Sequence, residues 1–340
     1  MPVNNSRTLI RNVSLVAVGV LVVAVIVFTL QAALGLIQVK STPPGWEIIR
    51  PPGEVYTILV DNDTVWTGGK EGIIRISRID RFRIPLPPGA PPTSYVRQIF
   101  RDSRGTIWIA HDGGLLTFSG ETWTVISPAP GVPFHRVMSI VELPDGSMVA
   151  GSDTDAFILT GTGWESLTSR GMPQIALAEV LLVTRDGDLW VGCGEPLRGA
   201  LLRFDGATWF RYTADDGLPH PAVRALMEDS TGAVWAATGY SRNGGAARYH
   251  DGAWTSFTVS DGLAGESTRS VYEDKNGRIW IGSEYDGIAA GNNRTWTILS
   301  MKDGLAGNEV KTMIQDADGA YWLGTEKGLS WIAPSALTML

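Results

Sequence analysis

A short aromatic-centred segment returns along this chain at a nearly fixed interval. It reads VWTGG at Trp66, IWIAH at Trp108, LWVGC at Trp190, VWAAT at Trp235, IWIGS at Trp280 and YWLGT at Trp322. SMVAGS takes the remaining slot with Met148, and the seven centres are spaced by 42, 40, 42, 45, 45 and 42 residues. A period of this size marks a repeat architecture and constrains the fold more than any local propensity does. Residues 269–299 show what is repeated. RSVYED alternates up to a KNG turn, RIWIGS follows, then a Tyr-Asp-Gly loop, GIAAG, an Asn-Asn turn and TWTIL. β-Branched and aromatic runs separated by Gly, Asn and Asp predict a four-stranded antiparallel meander. Such a sheet cannot bury both faces alone and needs neighbours of its own kind.

A second tryptophan marks the fourth strand, at Trp123, Trp164, Trp209, Trp254 and Trp296, and Phe82 is expected to fill that slot in the first repeat. The last repeat runs YWLGTEKGLSWIAP and then fades without a fourth strand. The missing strand is found at the other end, where Pro44-Gly45-Trp46-Glu47-Ile48-Ile49 has no first three strands before it. The expected fold is therefore an all-β, seven-bladed propeller over residues 45–334, closed by an N-terminal strand that leaves no sheet edge open. A solenoid would instead need polar caps. Of the 13 tryptophans, all but Trp331 fall in the two repeat slots, which identifies them as packing between blades rather than a stacking site.

Composition agrees: 40 Gly and 13 Trp with only 19% charged residues favour a turn-rich β-fold. A net charge of −7 argues against a nucleic-acid surface. Cys193 is the single cysteine and is expected to be a small buried hydrophobe.

Residues 13–37, VSLVAVGVLVVAVIVFTLQAALGLI, contain no charge. At roughly 1.5 Å per residue this run spans a hydrocarbon core of about 30 Å. Arg7 and Arg11 precede it and only Lys40 follows closely, so residues 1–12 are expected in the cytoplasm and the rest outside it. The run is longer than the apolar region of a cleaved signal peptide, and the best small-x-small site, Ala33-Leu34-Gly35, lies inside it. The expectation is an uncleaved single-pass anchor, a stalk at 38–44, an extracytoplasmic propeller, and a tail at 335–340.

The repeat V-R-x-I-x-x-D-x-x-G-x-I-W-I-G, followed by a Gly-Leu strand and a D-G-x-W strand, is visible in VRQIFRDSRGTIWIAHDGGLLTFSGETW and around Trp235, Trp280 and Trp322. A DGL signature recurs between blades at 216–218, 261–263 and 303–305. This pattern resembles the two-component regulator propeller. The resemblance implies the extracytoplasmic sensor region of a hybrid histidine kinase, often paired and followed by a small immunoglobulin-like domain. Here a single propeller follows its anchor and no kinase follows by Leu340, so any signalling is expected to run through a membrane-protein partner.

In a propeller, loops joining strands two and three share a face with the blade-to-blade crossings, and function usually sits there and at the channel mouth. Those loops hold Lys70-Glu71, His111-Asp112, Asp153 and Asp155, Glu195 to Arg198, Tyr240 to Asn243, Glu284-Tyr285-Asp286 and Glu326-Lys327. The longest lie in the fourth and fifth repeats, which places a candidate ligand or partner site at Arg198, Tyr240 and Arg242, with Tyr285 a departure of the sixth repeat. Near the start of each inner strand stand Tyr56, Arg97, Met138, Glu179, Arg224, Arg269 and Lys311. Four cations on one annulus, Arg97, Arg224, Arg269 and Lys311, are expected to attract an anionic group. Alternatively each pairs with a carboxylate such as Glu266 or Glu309 and holds its loop.

Catalytic signatures are scarce. His111, His135, His220 and His250 have no zinc-ligand spacing, and neither a Gly-x-Ser-x-Gly elbow nor a phosphate loop is present. Turns such as Asp102-x-x-Gly105 lack the spacing of sialidase aspartate boxes and suit turn conformation instead. The expected function is a non-catalytic ligand- or protein-binding module, sensory or accessory, without cofactor or metal. The alternative is an extracellular lyase or glycan hydrolase acting at the channel mouth.

Overall fold

Each repeat folds into the meander its residues predict. The computed structural model describes residues 42–292 and 295–337, together with Val22. Among the described residues there are seven four-stranded antiparallel sheets. Six are sequential, covering 57–84, 96–127, 137–166, 178–212, 223–257 and 268–299, and are numbered blades 1 to 6. Blade 7 takes Val310–Gln315, Tyr321–Thr325 and Gly328–Ile332 from one end of the domain and Trp46–Ile49 from the other. Trp46 lies opposite Ile332 and Ile49 opposite Leu329. The expected N-terminal strand therefore joins first and last repeats in one sheet, and the fold is an all-β seven-bladed propeller. The anchor expected at 13–37 lies outside the described residues, except for Val22. Among the described residues no helix is long and apolar enough to cross a membrane.

The repeat motif is scaffold. In blades 2, 5, 6 and 7 the second-strand indole N–H donates to an aspartate six residues earlier. The pairs Trp108–Asp102, Trp235–Asp229, Trp280–Asp274 and Trp322–Asp316 all measure 2.9 Å. The other carboxylate oxygen closes the hairpin turn: Asp274 Oδ1 accepts the amides of Asn276 at 2.9 Å and Arg278 at 3.0 Å. One side chain thus satisfies the turn and the buried ring together. In blades 1, 4, 6 and 7 a glycine two residues after the tryptophan lets the next inner strand approach. A Cβ at Gly282 would stand 2.3 Å from the Val310 carbonyl oxygen. In the DGL signature the aspartate caps the preceding turn and the leucine is buried. Asp216, for example, accepts from the Thr213 amide at 2.8 Å, and Leu218 is buried. Cys193 is buried and unpaired, as expected.

Two expected placements are corrected by the register. Trp108 pairs with Phe100, and the corresponding pair in blade 3 is Val149 with Val141; Met148 pairs with Glu142 as Ile107 does with Arg101. Val149, not Met148, therefore occupies the tryptophan slot, because the turn before it fixes the frame and side-chain size does not. In blade 1, Phe82 is 72% exposed. The Arg81 amide bonds Ser77 O at 2.9 Å, which turns Phe82 outward, and Arg83 pairs with Ile76 in the outer-strand slot.

Asp274→Ala is expected to strand the Trp280 indole, two turn amides and the Tyr321 hydroxyl, which donates to Asp274 at 3.1 Å. Urea denaturation should show a loss of about 3 kcal/mol. A loss below about 1 kcal/mol would remove the carboxylate–indole pair from the scaffold's essentials.

Candidate functional site

Every inner strand from blade 2 to blade 7 enters its sheet through an irregularity. The ladder skips one residue between Val96 and Gln98, Val137 and Ser139, Ala178 and Val180, Val223 and Ala225, Thr268 and Ser270, and Val310 and Thr312. The residues left out of the ladder are Arg97, Met138, Glu179, Arg224, Arg269 and Lys311. A bulge bends the strand and re-aims the extra side chain. Here, together with Tyr56, which precedes the first ladder pair of blade 1, all six line a single cavity of about 500 Å³. The annulus expected from the sequence is present and surrounds one space.

Its charges are paired. Arg97 grips Asp112 with two bonds of 2.7 and 3.0 Å, and Arg136 adds a third at 3.1 Å. Lys311 lies 2.5 Å from Glu54 and 3.2 Å from Glu309. Arg269 lies 2.5 Å from Glu284, and its Nε stands 3.4 Å from Glu309 without forming a hydrogen bond. Arg224 is the least engaged: Glu179 is 3.9 Å away, and Nε donates to the Gly239 carbonyl at 3.2 Å. Four cations thus face five carboxylates, so the pairing expectation describes the ring better than a bare positive annulus does. Glu309 is a partner as expected, but Glu284, rather than Glu266, is the closer carboxylate to Arg269.

Tyr56 crosses the axis. Its hydroxyl donates to Glu179 Oε1 at 3.1 Å, joining blade 1 to blade 4. Tyr95 meets its ring edge-on at 5.6 Å, and the Arg97 guanidinium and Lys311 ammonium lie 5.4 and 5.6 Å from its centre. Burial, and then the Glu179 charge, push the Tyr56 phenol above its ordinary value, so it is a neutral donor. Burial also works to raise Glu54, but bonds from Lys311 and Tyr95 outweigh it and hold the carboxyl below the usual range. At Glu309 the balance is reversed: burial exceeds the pull of Lys311 and Arg269, and its pKa is raised.

Sequence reading missed Glu54, Tyr95 and Arg136. Each lies two residues before the ring residue of its own blade, as Glu309 does. The same offset recurs in four blades, on the crossings just before the inner strands, so the signal was available once the ring was found.

The loop candidates divide. The Arg242 guanidinium stacks over Tyr285 at 4.5 Å, and both line a separate cavity of about 280 Å³ with Glu266, Ser267 and Asp286. Arg198 and Tyr240 line neither cavity. The 240–243 stretch is not a long loop, because Tyr240 and Asn243 pair and Ser241-Arg242 form a two-residue turn with positive φ at both positions. His111 is buried. Its Nδ1 accepts the Gly113 amide at 3.1 Å, and burial lowers its pKa, which keeps it neutral. Among the described residues, no group of three or more His, Cys, Asp or Glu is placed to hold a metal ion.

Residues 90–113, 262–285 and 304–327 match the two component regulator propeller family. The chain carries two component regulator propeller repeats. No curated protein matches it. The extracellular domain of a hybrid two component system from B. thetaiotaomicron is similar in structure, with a TM-score of 0.70 and 17% identity. That match covers 86% of this chain but only 42% of the other. A catalytically inactive variant of virginiamycin B lyase from Staphylococcus aureus, with quinupristin, gives 0.64 at 14% identity, covering 85% and 98%. PorZ, a surface component of the type-IX secretion system of Porphyromonas gingivalis, gives 0.64 at 14%, covering 89% and 48%. These likenesses are of fold: an extracellular domain, an enzyme and a secretion component share one propeller scaffold.

The raised pKa of Glu309 has a definite sign. A folded pKa above the unfolded one contributes stability below the ordinary carboxylate value, and that contribution is lost as pH rises through the folded value. Glu309→Gln is therefore expected to remove part of the decline in melting temperature between about pH 4 and pH 7. An unchanged slope in thermal melts would show that Glu309 titrates like a solvated carboxylate.

Proposed function

We propose that the protein is a non-catalytic binding module, anchored by residues 13–37 and displayed outside the cytoplasm, whose axial cavity takes a small polar ligand. One observation carries this reading: the scaffold positions repeat from blade to blade, whereas the seven residues aimed into the cavity are Tyr56, Arg97, Met138, Glu179, Arg224, Arg269 and Lys311. Scaffold does not need that variety. Paired cations and carboxylates suit a ligand with both donors and acceptors, a sugar or a zwitterion, which exchanges with internal partners instead of meeting bare charge. Arg224 and Arg269 are its first contacts because each retains unused donor capacity. The similarity in fold to PorZ, a surface component of a secretion system, supports a membrane or signalling protein as the receiver.

Full-length protein in detergent, titrated with panels of neutral sugars and zwitterionic amino acids, tests the ligand. Binding to one class is expected, weakened at least about tenfold, or 1.4 kcal/mol, by Arg224→Ala with Arg269→Ala. An unchanged profile in a stable double variant would dispose of the cavity as the site. Crosslinking in native membranes separates an accessory subunit, which brings defined partners, from a sensor that binds alone.

A second reading, a lyase or glycan hydrolase, is favoured by Glu179 and Glu309 lining one cavity with Tyr56 and by the raised pKa of Glu309, the condition a general acid needs. Turnover of a glycan or cyclic depsipeptide that disappears in Glu309→Gln would establish it.

A further inference from the structure

Two blade interfaces share a packing that the one between blades 3 and 4 lacks. Between blades 1 and 2, the Trp66 ring lies 5.7 Å from Phe118 and 6.3 Å from Trp123. Between blades 4 and 5, the Trp190 ring lies 5.4 Å from Tyr249 and 6.3 Å from Trp254. In each case an indole from one blade seats against a cross-strand aromatic pair of the next. Both indoles do so without a hydrogen-bond partner for Nε1 among the described residues.

Blade 4 presents the same pair. Phe204 stands opposite Trp209 as Phe118 does Trp123 and Tyr249 does Trp254. Their ring centres are 4.9 Å apart, against 4.7 and 5.0 Å in the other two pairs. Blade 3, however, has Val149 in the tryptophan slot. The aspartate six residues earlier is also replaced, by Leu143, and the third-strand partner is Ile158 where Arg75 and Arg203 lie over the other two indoles. The result is a groove of about 410 Å³ lined by Val149, Ile158, Leu167, Leu189, Phe204 and Trp209, with Asp145 and Arg170 its charged residues.

We infer that this groove is a second binding site, independent of the axial cavity, for a neutral planar aromatic ring of indole size. Its shape is set by the repeat itself, which elsewhere fills the same position with an indole. A space left by a missing side chain in an apolar interior binds a molecule resembling that side chain, as engineered core cavities bind benzene. The two seated indoles show that the ring needs no hydrogen bond, and the loss of the arginine leaves walls that suit an uncharged ligand. Phe204 and Trp209 supply the stacking and edge-on contacts, whose geometry is already fixed by their own pairing.

Calorimetric titration of the purified protein with indole should show one site, and crystals soaked with 5-bromoindole should place the bromine signal between Val149 and Trp209. Val149→Trp rebuilds the missing ring: it is expected to abolish indole binding and raise the melting temperature. Trp209→Leu should weaken binding at least tenfold while leaving Val149 untouched, which keeps the test open if Val149→Trp folds poorly. Absence of indole binding, bromine located elsewhere, or undiminished affinity in folded Val149→Trp or Trp209→Leu would each overturn the inference. Arg224→Ala, which tests the axial cavity, should leave indole binding unchanged, and a loss there would also count against a separate site.

Discussion

The buried hydrogen bond from indole to carboxylate is the interaction on which blades 2, 5, 6 and 7 depend. A tryptophan is large enough to fill the wedge between two twisted sheets, but its N–H cannot be buried without cost unless an acceptor is buried with it. An aspartate supplies that acceptor, and its own burial is offset because the hairpin amides bind its second oxygen. Turn, ring and blade interface therefore form or fail together. Blades 1 and 4 reach the same end differently, with an arginine over the ring and an aromatic pair beneath it. The scaffold has two ways of holding a tryptophan, and blade 3 uses neither.

Closure imposes the second constraint. Seven inner strands converge on one axis, and ladder geometry alone would direct their side chains into the neighbouring blades. The bulge frees one residue per strand from that requirement, at the same place in six blades. What is placed there is exempt from the packing rules that repeat everywhere else, so it can differ from blade to blade. Charged groups brought that close would repel or be desolvated unless paired. The crossings before the strands supply Glu54 and Glu309, and the loops after the second strands supply Asp112 and Glu284. Tyr56 then spans the opening to Glu179, so the centre of the ring is a polar network with a strut across it rather than an empty pore.

Much of this was legible because repetition amplifies weak signals. The period gave the blades, the strand donated by Trp46 gave the closure, and the start of each inner strand gave all seven ring positions. What was not legible depends on relations between blades. The partners of the ring cations come from other loops, and only the bulge decides which side of the strand faces them. Met148 was read into a slot whose frame the turn fixes on Val149, and Phe82 into one from which the chain turns it outward. The Tyr240–Asn243 stretch reads as a loop because it is polar and flanked by Gly239, Gly244 and Gly245, yet Ser241 and Arg242 adopt the left-handed backbone that lets the hairpin continue to its tip.

The departures from the repeat fall into two physical kinds. At the ring, substitutions change chemistry while the backbone stays constant, because the bulged position carries no packing duty. In blade 3 the change is one of volume: Leu143 and Val149 replace an acceptor and a ring together, and the aromatic pair that would receive the ring is retained in blade 4. Loss of the tryptophan alone would leave an unpaired buried carboxylate, which is worse than losing both. Coordinated loss leaves a clean apolar space against an intact aromatic wall. The spacing of Phe204 and Trp209 is set by their cross-strand pairing, so the wall keeps the geometry of the pairs that hold a ring even where the ring is gone.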